Sequence, residues 1–350
     1  MIKKIMSAAF FLGIASVLSA YNPPAGGENV LRISSPELLF EGNSSAGGAF
    51  FDVSPDSVVN NPAVTAYEQR VVFNIAGTML FDGKDESDKT VGGAFETGLL
   101  IPSRWCVSSF LLQGVFVPLY DMHLGNSFTF TANVAKDVND KLAVGMSGYM
   151  GAFYGHGSDW TGGVNMGAFY NFGDLGFFRD LRFGASLLNV AKPYKDLKVL
   201  GITGSQADEW PLIATPKMGA AARIFTKNNF DLAGSLDFSF PGFQNFVVDA
   251  GVQIYLFNLV KVSSSWEYDA REFAEGSKNI IPSVSVGCRF VFNSKDGSML
   301  AKNGWEQSEI TVSGGYKPMY ENIHAVSAGA KMNLGLKDTQ PPEIILWGEK

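Results

Sequence analysis

A run of alternating segments from Arg70 to Leu336 constrains this chain more than any other feature. In the first of them Val71, Phe73, Ile75, Met79 and Phe81 fall on one parity, and Asn74, Ala76, Thr78 and Asp82 on the other. Successive strand side chains point to opposite faces, so the pattern writes an apolar face against a polar one. About fourteen such segments follow with no helical period between them, many of about ten residues, the length that crosses a bilayer as a tilted strand. They start at Arg70, Val91, Val107, Ser127, Lys141, Trp160, Arg179, Met218, Asp231, Asn245, Val260, Pro282, Ser308 and His324. An even set of such strands closes without edges and satisfies every backbone polar group inside lipid. The expected fold is all-β: an antiparallel transmembrane β-barrel of about fourteen strands.

Charged residues make up only 17% of the chain, beside 39 Gly and 28 Phe, which suits a lipid-facing wall of closely spaced strands. The net charge of −7 argues against a nucleic-acid surface. Residues 1–20 read as a secretory signal: Lys3 and Lys4, the apolar stretch from Ile5 to Val17, then Leu18-Ser19-Ala20. Export of such a chain implies insertion by the barrel-assembly machinery into outer-membrane lipid. Residues 21–66 lack alternation and carry Pro23-Pro24, Gly26-Gly27 and Gly47-Gly48. Irregular backbone lies at membrane depth only where protein covers it, so a hatch inside the barrel is expected there. The organisation expected is thus signal (1–20), hatch (21–66), barrel (67–337) and a periplasmic extension (338–350), where Pro341-Pro342 breaks the pattern.

Loop lengths orient the barrel, because periplasmic turns are short and outer loops long. Asn139-Asp140, Lys227 to Asn229 and Asn258-Leu259 fall at one end; the long Val190 to Pro216 and Ala270 to Ile281 connections fall at the other. Asn293 to Gln307 is the exception, long yet expected at the periplasmic end.

The stretch Phe51 to Phe73, FDVSPDSVVNNPAVTAYEQRVVF, holds an Asn-Pro-Ala triplet, Asn61, Pro62 and Ala63, just before the first strand. Placed after a signal and before about fourteen strands, the triplet resembles the FadL-type outer-membrane transporters, closest to a spirochaete branch of them. The resemblance implies a fourteen-stranded barrel with an N-terminal hatch, and passive uptake of long-chain fatty acids or other hydrophobic small molecules. The family also includes secretion-system barrels that handle lipidated cargo, and fold transfers better than substrate. A surface-exposed barrel that transports nothing, an adhesin or a lipid-presenting secretion component, is the alternative. In physical terms, Asn tolerates turn geometry and Pro ends regular pairing, so the triplet is either a hatch element or a plain turn.

The inward parity carries Arg223, Asp231, Asp237, Asp249, Lys261, Glu267, Arg289, Glu309, Lys317 and Lys331. An unpaired buried charge is expensive, so these residues form an ion-pair network. Alternatively Arg223, Lys261, Arg289, Lys317 or Lys331 meets a ligand carboxylate. Val30, Leu31, Ile33, Leu38, Leu39 and Phe40 either line a hydrophobic pocket or form the hatch's own core. Ile202, Trp210, Leu212 and Ile213 in the long outer loop read either as a capture surface for a greasy ligand or as loop self-packing. Trp160, Tyr154, Tyr170, Phe172, Trp266, Tyr268 and Tyr316, near strand ends, read as aromatic girdles.

Enzymatic chemistry is not expected. His156 lies in GHGSD beside Ser158 and Asp159, but local spacing does not establish a triad, and Gly, Ser and Asp are ordinary turn residues. The acids between Asp82 and Asp88 lack EF-hand spacing, no nucleotide motif occurs, and no metal or cofactor is called for. Cys106 and Cys288 are either bridged or two separate thiols.

Overall fold

In a computed structural model, Phe73, Ile75 and Met79 are 42, 55 and 53% exposed, while Asn74 and Thr78 on the opposite parity are 5 and 3% exposed. Alternation in the first segment is therefore alternation between the outside of a wall and its lumen. The structure describes residues 22–24, 32–42, 44–82, 91–117, 125–154, 157–195, 198–211, 213–276, 281–295, 298, 307–319 and 323–335. The expected signal, Leu31, Leu212, His123, His156, the C-terminal extension and most of the connection from 293 to 307 lie outside these residues.

Fourteen strands form the wall: β1 (Val71–Asp82), β2 (Val91–Pro102), β3 (Val107–Val117), β4 (Gly125–Asp137), β5 (Leu142–Tyr154), β6 (Ser158–Leu175), β7 (Phe178–Lys192), β8 (Thr215–Lys227), β9 (Phe230–Ser239), β10 (Val247–Leu256), β11 (Val260–Asp269), β12 (Val284–Asn293), β13 (Gln307–Pro318) and β14 (Ile323–Leu334). Each pairs antiparallel with its sequence neighbours. β1 closes the barrel on β14, from Val71 opposite Leu334 to Asp82 opposite Ile323. The outer face is apolar, with Trp160, Tyr154, Trp266 and Tyr316 among its exposed aromatics. No described helix is long and apolar enough to cross a membrane; the strands make the wall. Cys106 and Cys288 are both free thiols.

Two irregularities matter. The β6–β7 ladder shifts register between Val164 and Met166 and again beyond Asn171. The β11–β12 ladder is short, running only from Val260 opposite Cys288 to Ser263 opposite Ser285. Beyond it Ser283 substitutes for a strand residue, donating its N–H to the Ser265 carbonyl (2.9 Å) and accepting the Ser265 N–H on its hydroxyl (3.0 Å).

Residues 32–68, the inner segment, lie within the ring and pack on its inward face. They contain a five-residue helix α1 (Pro36–Phe40), capped by the Ser35 hydroxyl, which accepts from Leu38 N. Two 3₁₀ helices follow, at Pro55–Val59 and Pro62–Tyr67, each opened by a proline, which fits where no N–H partner is needed. The wall makes room for this backbone with glycines on its inward face. A Cβ at Gly145 on β5 would sit 2.5 Å from the Pro62 carbonyl carbon, and one at Gly251 on β10 would sit 2.5 Å from the Glu41 carbonyl oxygen. Opposite Gly251 stands Gly42, at φ +79°, a backbone state that L side chains rarely adopt.

Side-chain intolerance at these glycines is testable. Gly251→Val is expected to cost about 1–3 kcal/mol through overpacking and to make the inner segment cleavable by added protease. Gly148→Ala, whose new Cβ meets nothing nearer than 3.9 Å, should leave stability unchanged. Equal urea midpoints for the two refolded variants would refute close packing of the inner segment on the wall.

Candidate functional site

The inner segment traverses the lumen from one end to the other. At the loop end, Asn22 is bonded into the 192–215 connection. Its N–H donates to Asp208 (3.0 Å), its amide donates to the Ser205 hydroxyl (3.0 Å) and the Gln206 carbonyl (2.9 Å), and its carbonyl accepts from Asp208 N (3.0 Å). Pro23 continues the contact, accepting from Ile202 N at 3.0 Å. At the turn end, the Tyr67 hydroxyl reaches the Asn139 carbonyl (3.5 Å), just before the chain enters β1.

Between these ends, polar side chains of the wall serve irregular backbone. Arg182 on β7 donates to the carbonyls of Ala46 (3.4 Å) and Ala49 (2.5 Å). Ser45 donates its N–H to Asp237 on β9 (2.6 Å), and Phe50 donates its N–H to Gln253 on β10 (3.3 Å). Ser186 on β7 donates to the Asn60 carbonyl at 2.8 Å. Asn61 is fully buried: its Oδ1 accepts from Ala63 N (3.0 Å), and its Nδ2 donates to the carbonyls of Ser45 (2.8 Å) and of Ala168 on β6 (2.9 Å). The Pro62 carbonyl accepts from Asn133 on β4 (3.3 Å), and Ala63 is fully buried. The triplet thus ties the inner segment to two wall strands, β4 and β6.

The lumenal cations are engaged as well. Lys261 contacts Glu41 and lies 3.0 Å from Asp52, which also contacts Lys331. Arg289 donates to Glu309 (2.6 Å), which also receives Arg70 (2.5 Å). Arg223 lies over the Phe50 ring and 3.9 Å from Asp180. Lys317 is electrostatically coupled to the carboxyls of Glu267 and Asp249. Arg32 and Lys217 share Asp249, at 3.8 and 3.7 Å. Lys217 escaped the sequence reading because its strand begins at Thr215, not at Met218. Arg182 was readable, since it shares the inward parity of β7 with Ser186. Asp159, the acid of the GHGSD stretch, is engaged by Lys192 at 2.8 Å.

Toward the loop end the contents turn apolar. Ile33, Leu39 and Phe40 meet Tyr194, Val199 and Trp210 of the long connection, together with Leu80, Val115 and Phe153 of the wall. Trp210 is buried and stacks on Tyr194 with ring centroids 6.0 Å apart, so the loop folds into the barrel mouth rather than displaying this residue. Ile202 is buried too, whereas Ile213 is exposed; Leu38 is buried within α1. Beside this cluster is a cavity of about 60 Å³, lined by Val58 and Val59 of the inner segment, by Gln113, Thr129, Asn165 and Thr215 of the wall, and by Pro211 of the loop.

No family model and no curated protein matches this chain. Among solved structures, the Pseudomonas putida toluene transporter TodX is similar, at 11% identity over 91% of this chain and 100% of that one, with a TM-score of 0.50. The Ralstonia pickettii toluene transporter TbuX aligns at 11% identity over 87% and 98%, TM-score 0.49. A Pseudomonas aeruginosa FadL homologue aligns at 11% identity over 90% and 98%, TM-score 0.45. The likeness to TodX is one of fold.

Asp52 provides a test of how the inner segment is held. Burial pushes its carboxyl up, but the Lys331 and Lys261 ammonium groups outweigh burial and hold it below the usual range. Its stabilisation is therefore fully present above the unfolded value of about 4 and lost as pH falls toward the folded one. Asp52→Asn is expected to cost about 3–5 kcal/mol at neutral pH by stranding Lys331, with the deficit narrowing only below about pH 4. Glu37 behaves oppositely: burial, then the neighbouring Asp56, raises its carboxyl, so ionisation costs stability as pH rises. Glu37→Gln should match or exceed the parent midpoint at neutral pH. Urea titrations across pH that give both variants the same loss would refute the assignment.

Proposed function

We propose that this barrel is an outer-membrane channel for hydrophobic small molecules in which residues 21–66 act as a hatch. Long-chain fatty acids are the first class to test, and the fold likeness to a protein described as a toluene transporter makes small aromatic hydrocarbons a second. The reading rests chiefly on how full the lumen is. An apolar cavity of about 150 Å³ is what holds a benzene, and the described cavity is about 60 Å³. That cavity has no room for a single ring, so a solute seated there must displace protein. Apart from the hydrogen bonds of Asn22 and Pro23, the hold near the mouth is an apolar cluster with non-directional contacts, which a greasy solute replaces at little cost and a polar one does not.

The outer loop and the inner segment form a single mechanical unit in this reading. Asn22 and Pro23 hydrogen-bond residues 202–208 of the loop, and the same loop and the inner segment share one apolar cluster. A ligand that wedges Trp210 away from Phe40 therefore loosens both. The candidate contacts Ile33, Leu39, Phe40 and Trp210 serve here as the surface a ligand replaces, with Leu31, Leu38 and Leu212 beside them in sequence. Asn61, Pro62 and Ala63 hold the far end of the hatch.

Removing residues 21–57 is expected to convert a nearly silent barrel into one of high conductance in planar bilayers. A refolded deletion variant with unchanged conductance would exclude an obstructing hatch. Binding to the purified full-length barrel is expected to tighten along a homologous series from eight to sixteen carbons, each buried methylene contributing about 0.8 kcal/mol. A flat series, or no saturable binding, would favour a barrel that presents a surface and transports nothing.

A further inference from the structure

Three buried hydrogen-bonding groups at the barrel mouth have no partner among the described residues, the Thr215 hydroxyl, the Tyr194 hydroxyl and the Trp210 indole N–H, and of these residues only Thr215 lines the cavity. Thr215 is 4% exposed and Trp210 3%. Buried donors without acceptors are rare and costly, and those that persist call for an occupant. Thr215 lines the cavity. Trp210 belongs to the apolar cluster, and its chain neighbour Pro211 lines the cavity. Arg32 and Ile33 repeat the arrangement, one at the cavity and the other in the cluster. The cavity, lined by polar and apolar side chains, and the apolar cluster therefore meet along two backbone steps, with the orphaned Thr215 hydroxyl on the cavity side.

We propose that this junction is a two-part ligand seat, in which the cavity takes the oxygen of an alcohol, ester or other oxygen-bearing head and the apolar cluster gives way to the hydrocarbon body attached to it. The inference rests on the channel reading and narrows it, from hydrophobic molecules in general to those that carry one hydrogen-bond acceptor. A threonine hydroxyl donates or accepts, so an acceptor oxygen in the cavity satisfies Thr215, whereas a plain hydrocarbon does not. The size of the cavity agrees: about 60 Å³ accommodates an oxygen and its nearest carbons but not a chain. The body must then replace side chains of the cluster, which is the exchange that would free the hatch.

The test uses the full-length barrel in amphipol, with 1-octanol and octane as probes and bound amounts read by headspace partition against amphipol alone. 1-Octanol should bind saturably and more tightly than octane after correction for its greater water solubility. Thr215→Val, which keeps the shape and removes the hydroxyl, should weaken 1-octanol about tenfold, the worth of one hydrogen bond, and leave octane unchanged. Thr215→Ser should bind as the parent does. If both probes bind but Thr215→Val does not alter their ratio, the cavity holds only water and the seat is refuted, while the channel reading stands. If neither probe binds saturably to the parent barrel, both readings fall.

Discussion

Irregular backbone cannot lie at membrane depth unless something hydrogen-bonds it, and in this barrel the wall does so. The inward faces of the strands carry Arg, Asn, Gln, Ser and Asp side chains aimed at N–H and C=O groups of the inner segment: Arg182 at Ala46 and Ala49, Gln253 at Phe50, Ser186 at Asn60, Asn133 at Pro62. Each bond alone is modest, but an unmet buried amide would cost more than the bond gains. These contacts work only at short range, and that requires glycine where wall and segment touch, as at Gly145 and Gly251. The polar parity of the strands is thus less the lining of a water pore than the complement of one particular inner chain.

The two ends of the lumen differ in what opening would require. Toward the turn end the inner segment is held by directional contacts, among them Asn61 with its wall and backbone partners and Asp52 with its two lysines. Breaking a buried ion pair strands a charge. Toward the loop end the hold is an apolar cluster around Phe40, Tyr194 and Trp210, in which one hydrocarbon surface can stand in for another. On the proposed reading a ligand therefore enters where exchange is nearly neutral and meets growing resistance as it descends.

The wall was legible in the sequence because it obeys a local rule. Parity within a strand needs only neighbouring residues, so Phe73 and Asn74 are assigned correctly without knowledge of the rest, and the starts of β2, β3 and β11 coincide with those read from alternation. The errors fall at boundaries: beginning β8 at Met218 left Lys217 unassigned, although it is buried beside Asn60 and Asp249. The contents of the lumen were not legible in the same way. Nothing periodic marks Trp210 as a residue that folds back into the mouth, and nothing local pairs Asn22 with Ser205 across 183 positions. In sequence the glycines of the strands fit a packing device between strands, and only the course of the inner segment shows that several of them accommodate its backbone.

The lumenal charges also take on a role that sequence could not distinguish from carboxylate capture. The weakest ladder of the wall joins β11 to β12, where strand pairing ends at Ser263 opposite Ser285. The inner segment lies behind this seam. Ser265 and Ser283, one on each side, donate their hydroxyls to the carbonyls of Leu39 and Phe40. Asp52 receives Lys261 from β11 and Lys331 from β14, and so bridges the seam from inside by joining strands that flank β12 and β13. Glu309 on β13 takes Arg289 from β12 and Arg70 from the approach to β1, extending the linkage around the closure of the barrel. Lys261, Lys331 and Arg289 therefore act as an internal splint across the stretch where backbone pairing is thinnest. A carboxylate ligand that recruited any of them would weaken the wall as well as the hold on the inner segment, which on the proposed reading is a physical reason for a solute route to pass through the apolar cluster and leave these pairs intact.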